Sequence, residues 1–131
     1  MTGGGPDADT AAIRRTVLDY FEGWFDGDPS RMRRALHSQL VKRSLQTDSS
    51  GRKTLRTITA EQMIDATRRG EGKSENQREL GIEIEIEQVL GELANVTVRS
   101  AAYIEYLHLA RTTNGWKIVN DVWQPARGSA P

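Results

Sequence analysis

The stretch Tyr103–Trp123, YIEYLHLARTTNGWKIVNDVW, decides the fold class because it predicts two β-strands joined by a tight turn. Tyr103–Arg111 is rich in β-branched, aromatic and leucine residues, which favour a strand. Thr113-Asn114-Gly115 predicts the turn, because Asn and Gly tolerate positive φ. Trp116–Trp123 then returns as the second strand. We expect the other elements to pair with this hairpin or to cover it.

Length and composition favour one small domain without net charge. The chain has 131 residues, of which 37% are hydrophobic and 27% are charged, enough to bury one modest core. Lys and Arg together number 18, as do Asp and Glu, so the net charge is zero and no positive field attracts a polyanion. Nucleic acid is therefore not an expected partner.

Residue content also excludes several kinds of site. The absence of cysteine excludes disulfides, a zinc–thiolate site and a cysteine nucleophile. Two histidines and scattered acids do not make a metal site, and no cofactor is expected. No apolar run approaches the roughly 18 residues of a membrane span. The segment MTGGGPDADT has neither the basic nor the apolar region of a signal peptide, so we expect a cytoplasmic protein without membrane contact.

Two helices are predicted near the N-terminus. The first covers Ala11–Asp26, with Asp9 or Thr10 as its cap. The second, shorter helix covers roughly Ser30–His37, with Asp28 or Ser30 as its cap. The apolar stripe of the first helix comprises Ile13, Val17, Tyr20, Phe21 and Trp24. The second helix is predicted to bury Met32 and Leu36 and to turn Arg31, Arg33 and Arg34 towards water.

A strand pair and a third helix are predicted next. Leu40–Leu45 and Arg52–Thr57 are expected to pair across the turn at Asp48–Gly51. Thr59, followed three residues later by Gln62, has the spacing of a capping box and opens a helix that ends near Arg69. The polar loop Gly70–Gln77 is the expected entrance lid.

Alternating residues predict two further strand segments. Ile82–Glu87 places isoleucines on one face and glutamates on the other. Ala94–Ser100 alternates again, and Arg99 is expected to meet glutamates of the neighbouring strand. A bend at Ser100-Ala101-Ala102 is predicted to carry the chain into the hairpin. Residues 82–123 would then form three consecutive antiparallel strands.

The resulting order is α-α-β-β-α-β-β-β and predicts an α+β fold. A curved antiparallel sheet is expected to wrap around the three helices as a cone, and a cone of this size encloses a cavity. Residues 10–124 would form this single domain, with disordered tails at 1–9 and 125–131.

Two local sequences resemble a known superfamily. FEGWFDGDPSRMRRALHSQLVKR and YIEYLHLARTTNGWKIVNDVW resemble nuclear transport factor 2-like proteins, in particular the lumazine-binding-type branch close to the SnoaL-like polyketide cyclases. The resemblance covers nearly all of Thr10–Gln124 and implies the cone fold, which is also called cystatin-like. The superfamily includes isomerases, cyclases, dehydratases and plain binding modules, so the resemblance alone does not assign a reaction.

The resemblance implies three candidate catalytic residues. Related ketosteroid isomerases have a cavity-facing tyrosine seven residues before the Gly-Asp turn, which matches Tyr20, and an acid on the penultimate strand, which matches Glu105. SnoaL-like cyclases use an acid on the last strand, for which Asp121 is the nearest match, although a register slip of one residue would select Asn120. The aspartate base of the isomerases falls at Lys42-Arg43-Ser44, which has no carboxylate, and this departure argues against ketosteroid-type proton transfer.

Each candidate also has a purely structural interpretation. Tyr20 is either a core aromatic or a hydrogen-bond donor to a ligand oxygen. Glu105 is either a proton donor shielded in a cavity or an exposed carboxylate paired with a cation. Asp121 is either solvated or catalytic, and His37 either caps the second helix or lines the cavity. Trp24 and Trp123 are expected in the core or in the walls of a ligand pocket, and His108 on the outer side of the sheet.

The functional hypothesis is a pocket for a flat or apolar small molecule. As an enzyme, the chain would be a cofactor-independent cyclase, isomerase or dehydratase in which Glu105 or Asp121 moves a proton and Tyr20 stabilises an oxyanion. The alternative is a binding or dimerisation module without turnover. The outer face of the hairpin, predicted to carry Ile104, Tyr106, Ile118 and Val122, is apolar enough to predict a homodimer through the sheets.

Overall fold

The Tyr103–Trp123 segment forms the predicted hairpin in the computed structural model, which describes residues 6–73 and 81–126. Thr112 pairs with Gly115 at its tip, where Gly115 adopts a φ of 100°. Within the described residues, the elements are α1 (Pro6–Asp26), α2 (Pro29–Ala35), β1 (Leu36–Thr47), β2 (Lys53–Thr59), α3 (Ala60–Arg68), β3 (Ile82–Leu90), β4 (Leu93–Ser100), β5 (Tyr103–Thr112) and β6 (Gly115–Pro125).

The six strands form one curved, unclosed sheet in the order β2-β1-β6-β5-β4-β3. The helices lie on one face, with α1 against β6 and β3 and α3 against β1 and β2. Apolar side chains of the helices and of this inner sheet face make the core, including Ile13, Val17, Phe21, Met63, Val96, Val98, Leu107, Leu109 and Ile118. The α+β cone predicted from the sequence is therefore confirmed.

Two details of the sheet differ from the prediction. Ser100-Ala101-Ala102 is a turn between two separate antiparallel strands, not a bend within one, so residues 82–123 contain four strands instead of three. The Ser100 hydroxyl closes this turn, since it accepts a hydrogen bond from the Tyr103 N–H at 3.0 Å and donates one to the Tyr103 carbonyl at 3.3 Å. The sheet is also mixed, because β1 pairs with β6 in parallel.

The helix boundaries are partly as predicted. The first helix begins at Pro6, within the segment 1–9 that was expected to be a tail, so Asp9 and Thr10 lie inside the helix and do not cap it. The capping box of Thr59 and Gln62 is present at the start of α3. Asp28 caps α2, as predicted, by accepting hydrogen bonds from the Ser30 and Arg31 N–H groups.

The end of α2 was predicted too late. Leu36 has extended dihedral angles and pairs with Ile118 of β6, so both Leu36 and His37 belong to β1. Pairing with the parallel strand replaces the last helical turn, and the prediction that His37 caps this helix is wrong.

A bulge in β6 controls which side chains face the helices. Leu109 pairs with Ile118 and His108 with Asn120, so Val119 is an extra residue in the ladder. Inward positions are even-numbered before the bulge and odd-numbered after it, because one inserted residue reverses the alternation of the strand. Ile118 is therefore buried in the core, contrary to the predicted outer location, and Asp121 points inward.

The alternating strand β3 has its isoleucines half-buried and its glutamates exposed, as predicted. Arg99 of β4 forms the expected cross-strand ion pair with Glu85, with 2.9 Å between Nη1 and Oε1. Both side chains are about half exposed, so this pair contributes little to stability.

A second ion cluster joins α1 to α2 and was not predicted. Asp19 is buried and accepts hydrogen bonds from Arg31 Nε at 2.9 Å and Arg34 Nε at 3.1 Å. The Arg31 guanidinium also pairs with Glu22. The prediction that these arginines only face water is wrong for Arg31, whose side chain is largely covered. Burial would raise the pKa of Asp19, but the hydrogen bonds from Arg34 and Arg31 outweigh it and lower that pKa.

We predict that Asp19→Asn reduces the free energy of unfolding by about 2 kcal/mol at neutral pH, because it removes a carboxylate that accepts charged hydrogen bonds. The lowered pKa means that this contribution is present above the ordinary aspartate range and is lost as the pH falls through the folded value. The difference from the wild type should thus shrink on acidification. Urea denaturation at a series of pH values measures both effects.

Asp65→Asn is the matched control, because Asp65 pairs with Arg68 on the exposed surface of α3. It should change stability by less than about 0.5 kcal/mol. Equal losses in the two variants would show that Asp19 does not hold the two helices together.

Candidate functional site

A cavity of about 440 Å³ lies between the helices and the inner face of the sheet. Its buried end contains Tyr20, Lys42 and Glu105, whereas Arg56, Arg69 and other exposed polar residues mark the side open to solvent. The residues that line it are Tyr20, Phe21, Trp24, Lys42, Arg56, Thr57, Ile58, Gln62, Met63, Ala66, Arg69, Glu71, Tyr103, Glu105 and Trp123. A volume of this size accommodates a small organic molecule.

Four polar side chains meet at the buried end, and we name them the floor cluster: Tyr20, Lys42, Glu105 and Asp121. The Tyr20 hydroxyl oxygen lies 3.0 Å from Asp121 Oδ2 and 3.2 Å from Glu105 Oε1. Lys42 Nζ donates a hydrogen bond of 2.5 Å to the same hydroxyl. The ammonium lies 3.6 Å from Glu105 Oε1 and 3.8 Å from Asp121 Oδ2.

Strand alternation and register bring this cluster together. Lys42 alternates with the buried residues Leu40 and Ser44 on the inner face of β1 and pairs directly with Asp121 of β6. Glu105 alternates with buried Leu107 on β5, the next strand of the sheet. Tyr20 reaches the cluster from the apolar stripe of α1. Asp121 belongs to it because the bulge at Val119 turns this part of β6 inward.

The floor cluster contains one cationic group and two carboxyl groups, so it carries a net negative charge if both carboxyls are ionised. Burial and the charge of Glu105 raise the pKa of Asp121 well above its usual range, against the opposing effect of Lys42. Burial and the two carboxyl groups, Asp121 first, also raise the pKa of the Tyr20 hydroxyl. A proton on Asp121 leaves one ammonium balanced by one carboxylate, which is the neutral state that a buried site favours.

This protonation state also gives a consistent hydrogen-bond network. If Asp121 carries the proton, its carboxyl group donates to the Tyr20 oxygen, which also accepts from Lys42. The Tyr20 proton then goes to Glu105. Asp121 Oδ1 has no hydrogen-bond partner within the described residues, which disfavours an ionised carboxylate at this position. The arrangement therefore holds transferable protons on three groups within hydrogen-bonding distance of each other, next to the cavity.

Aromatic rings form the walls of the cavity, and Trp24 and Trp123 are among them. Tyr103 packs its ring edge-on against Trp123, with 5.2 Å between centroids. Lys42 Nζ lies 5.2 Å from the centroids of both the Tyr20 and Trp123 rings, close enough for cation–π attraction. Gly72 approaches Trp24 so closely that a Cβ atom would lie 2.6 Å from the indole ring, so the chain after α3 confines this wall.

The other predicted residues do not reach the cavity. His37 lies at the start of β1, where its Nδ1 accepts a hydrogen bond from the Gln39 N–H at 3.0 Å, and it is not among the lining residues. Asn120 lies on the opposite face of the sheet from Asp121 and contacts Arg43 and His108. The register is therefore the one that selects Asp121. His108 is exposed on that outer face, as predicted.

Lys42 is the site residue that the sequence analysis missed. The signal was present, because Leu40, Lys42 and Ser44 alternate within a predicted strand, and an apolar Leu40 facing inward requires Lys42 to face inward as well. The second half of the predicted entrance lid, Gly70–Gln77, lies outside the described residues, since the structure describes it only to Lys73.

Across residues 6–73 and 81–126, no group of three or more His, Asp or Glu side chains is arranged to hold a metal ion. None of the described helices has the length and apolar character needed to span a membrane.

Comparison with known proteins gives a family and a fold. Residues 8–124 match the family described as "Putative lumazine-binding". A nuclear transport factor 2-like protein of unknown function from Shewanella baltica superposes with a TM-score of 0.72 at 15% identity, covering 96% of this chain and 100% of its own. No curated protein matches the sequence.

Two further solved structures show the same architecture. A nuclear transport factor 2-like protein of unknown function from Silicibacter pomeroyi gives a TM-score of 0.70 at 16% identity, covering 94% of this chain and 100% of its own. A domain with a cystatin-like fold from Nostoc punctiforme gives 0.62 at 12% identity, with coverages of 95% and 82%. At these identities the likeness establishes the fold alone.

The raised pKa of Asp121 predicts how the free energy of unfolding changes with pH. The folded protein holds a proton that the unfolded chain releases above the ordinary aspartate range, so the contribution of Asp121 to the free energy of unfolding falls as the pH rises towards its folded pKa. Asp121→Asn cannot ionise and lacks this loss. The stability of the variant minus that of the wild type should therefore increase as the pH rises from the ordinary aspartate range towards the folded pKa of Asp121, by up to about 1.4 kcal/mol per pH unit.

Urea denaturation of both proteins across this range measures the difference, with the Asp65→Asn protein as the control for general titration. A difference that stays flat, or that falls as the pH rises, would mean that Asp121 is ionised in the folded protein.

Proposed function

The chain belongs to the putative lumazine-binding family of the nuclear transport factor 2-like superfamily, and on this basis we propose that it binds a flat small molecule in its cavity. The proposed ligand is largely apolar, with a carbonyl or hydroxyl oxygen that contacts the floor cluster. The proposed chemistry is proton transfer on that ligand without a cofactor, as in a cyclisation, isomerisation or dehydration.

The observation that supports this proposal most is the position of the floor cluster. It places a phenol, a carboxyl group and an ammonium at the buried end of an aromatic-walled cavity. Burying such groups is costly unless each is paired, and they contribute less to stability than apolar residues of similar size. A site of this composition is typical of proton transfer, where groups with different proton affinities lie around one reacting oxygen.

Three members of the cluster have a proposed role in the proton transfer. Glu105 lines the cavity and moves the proton to or from the ligand. Tyr20 turns its hydroxyl from the carboxyl groups to the ligand oxygen and stabilises negative charge there. Asp121 is not among the lining residues, so its catalytic role is to supply a proton through Tyr20. Trp24 and Trp123 would hold the ring system of the ligand.

The binding-module alternative uses the same cavity without turnover. It requires the same contacts with the ligand oxygen but no net proton transfer. Turnover of a bound ligand is the observation that separates the two hypotheses, because the Tyr20 hydroxyl would contact the ligand oxygen in both.

The outer face of the sheet supports a homodimer. Tyr106 is 57% exposed and Val122 is 44% exposed, and they are cross-strand neighbours on β5 and β6. Leu45 and Leu55, which pair across β1 and β2, are also exposed. Ile118, which was predicted to contribute, is buried in the core and takes no part in this surface.

We predict that light scattering shows a dimer at tens of micromolar and that Val122→Lys shifts it towards the monomer, because a buried unpaired ammonium is costly. Leu90→Lys is the control, since Leu90 is also exposed but lies on the edge strand β3. A wild-type monomer at this concentration would contradict the proposed interface.

The ligand proposal predicts that Tyr20→Phe weakens binding of 2-naphthol by about 1–3 kcal/mol, because the ligand oxygen loses a buried hydrogen-bond partner. Binding of naphthalene, which has no oxygen, should be unchanged. Tryptophan fluorescence or calorimetry measures both affinities, and lumazine serves as a second, carbonyl-bearing probe. Circular dichroism verifies that the variant is folded.

Tyr106→Phe is the matched control, because it removes the hydroxyl of an exposed tyrosine on the outer face. It should leave both affinities unchanged. Glu105→Gln keeps the size of the side chain and should retain ligand binding while removing any proton transfer. Equal loss of 2-naphthol and naphthalene in Tyr20→Phe would show that Tyr20 acts only as a packing residue.

A further inference from the structure

Lys42 has an incomplete set of hydrogen bonds for a buried lysine. Its side chain is only 9% exposed, and within residues 6–73 and 81–126 Nζ donates one hydrogen bond, to the Tyr20 hydroxyl. The Glu105 and Asp121 oxygens lie at 3.6 and 3.8 Å, beyond hydrogen-bonding distance. An ammonium carries three N–H donors, and Lys42 lines the cavity. The two remaining N–H donors of this nitrogen are therefore available to a molecule in the cavity.

The other lysines of the chain have different surroundings. Lys53 is exposed and donates to Thr47 Oγ1, and Lys117 donates to the carbonyl of Arg34. Lys73 is exposed after α3. Among the residues that line the described cavity, Lys42 is the one with a primary amine.

We propose that Lys42 forms a Schiff base with an aldehyde or ketone that enters this cavity. The proposal rests on the proposed function in one respect, namely that the cavity accepts a flat apolar molecule with a carbonyl group. It goes beyond that function because it assigns a covalent step to a residue with no role in the proton transfer described above.

The contacts of the floor cluster provide a path for each proton. Lys42 gives a proton to the Tyr20 oxygen while Tyr20 passes its own proton to Glu105, along the two hydrogen bonds already formed. The neutral amine attacks the carbonyl carbon, a proton moves from the attacking nitrogen to the carbonyl oxygen, and the product is a neutral carbinolamine. Glu105 returns a proton to the carbinolamine hydroxyl, the C–O bond breaks, and water leaves.

This sequence of steps conserves both atoms and charge. The carbonyl compound and the Lys42 ammonium give a protonated imine and one water, with Glu105 ionised before and after. The positive charge thus stays on the same nitrogen. The carboxyl groups and the aromatic rings of Tyr20 and Trp123, which stabilise the ammonium, stabilise the protonated imine in the same way.

The experiment uses 2-naphthaldehyde with sodium cyanoborohydride, which reduces the imine to a stable amine. The expected result is one adduct per chain, with a mass increase equal to that of the aldehyde less one oxygen atom. Peptide mapping of the wild-type protein should locate it at Lys42, formed at least about tenfold faster than at Lys53, because binding in the cavity raises the effective concentration of the aldehyde. An excess of 2-naphthol should block this adduct.

Lys42→Arg should abolish the fast adduct, and Lys53→Arg is the matched control that should retain it. Mapping of the wild-type protein keeps the test decisive even if the Lys42 variant does not fold. Labelling that is no faster at Lys42 than at Lys53 would overturn the proposal. If 2-naphthol binds and the aldehyde is not trapped at Lys42, the Schiff base is wrong and the proposed function stands, whereas absence of both binding and trapping contradicts both.

Discussion

The structure depends on how one lysine and two carboxyl groups are accommodated under the first helix. Transfer of these groups from water to the core costs several kcal/mol for each ion, and mutual attraction offsets this cost only when hydrogen bonds and charge are balanced. Tyr20 provides the balance, because its single oxygen contacts Lys42, Glu105 and Asp121. A proton on Asp121 completes the charge balance, because it leaves one ammonium opposite one carboxylate. The position of α1 on the sheet is thus linked to the protonation of the cavity floor.

The bulge at Val119 is the backbone feature on which this arrangement rests. A regular β6 with Ile118 facing the core would also turn Asn120 and Val122 inward and leave Asp121 in solvent. The bulge lets one strand supply apolar core residues at its start and a polar site residue near its end. It also leaves Val122 on the outer face, beside Tyr106, so the same irregularity defines the cavity floor and the apolar outer surface.

Local patterns in the sequence predicted most of the fold. The Asn-Gly turn, the capping box at Thr59 and the alternation of β3 depend on neighbouring residues, and each is present in the structure. Several of the errors concern features that depend on distant residues. Parallel pairing with β6 converts Leu36 and His37 from helix to strand, and buried Asp19 draws Arg31 away from solvent. The family resemblance pointed to Tyr20, Glu105 and Asp121 as candidates. The bulge that turns Asp121 inward was not predicted, and the inward position of Lys42 was overlooked.

We propose that the floor cluster receives the oxygen of a flat ligand, and a crystal structure of the protein with 2-naphthol tests this most directly. We predict that the ring lies between Trp24 and Trp123, with its oxygen at about 3 Å from the Tyr20 hydroxyl or Lys42 Nζ. A naphthol bound elsewhere, or one that lies in the cavity with its oxygen turned towards solvent and away from this cluster, would contradict it.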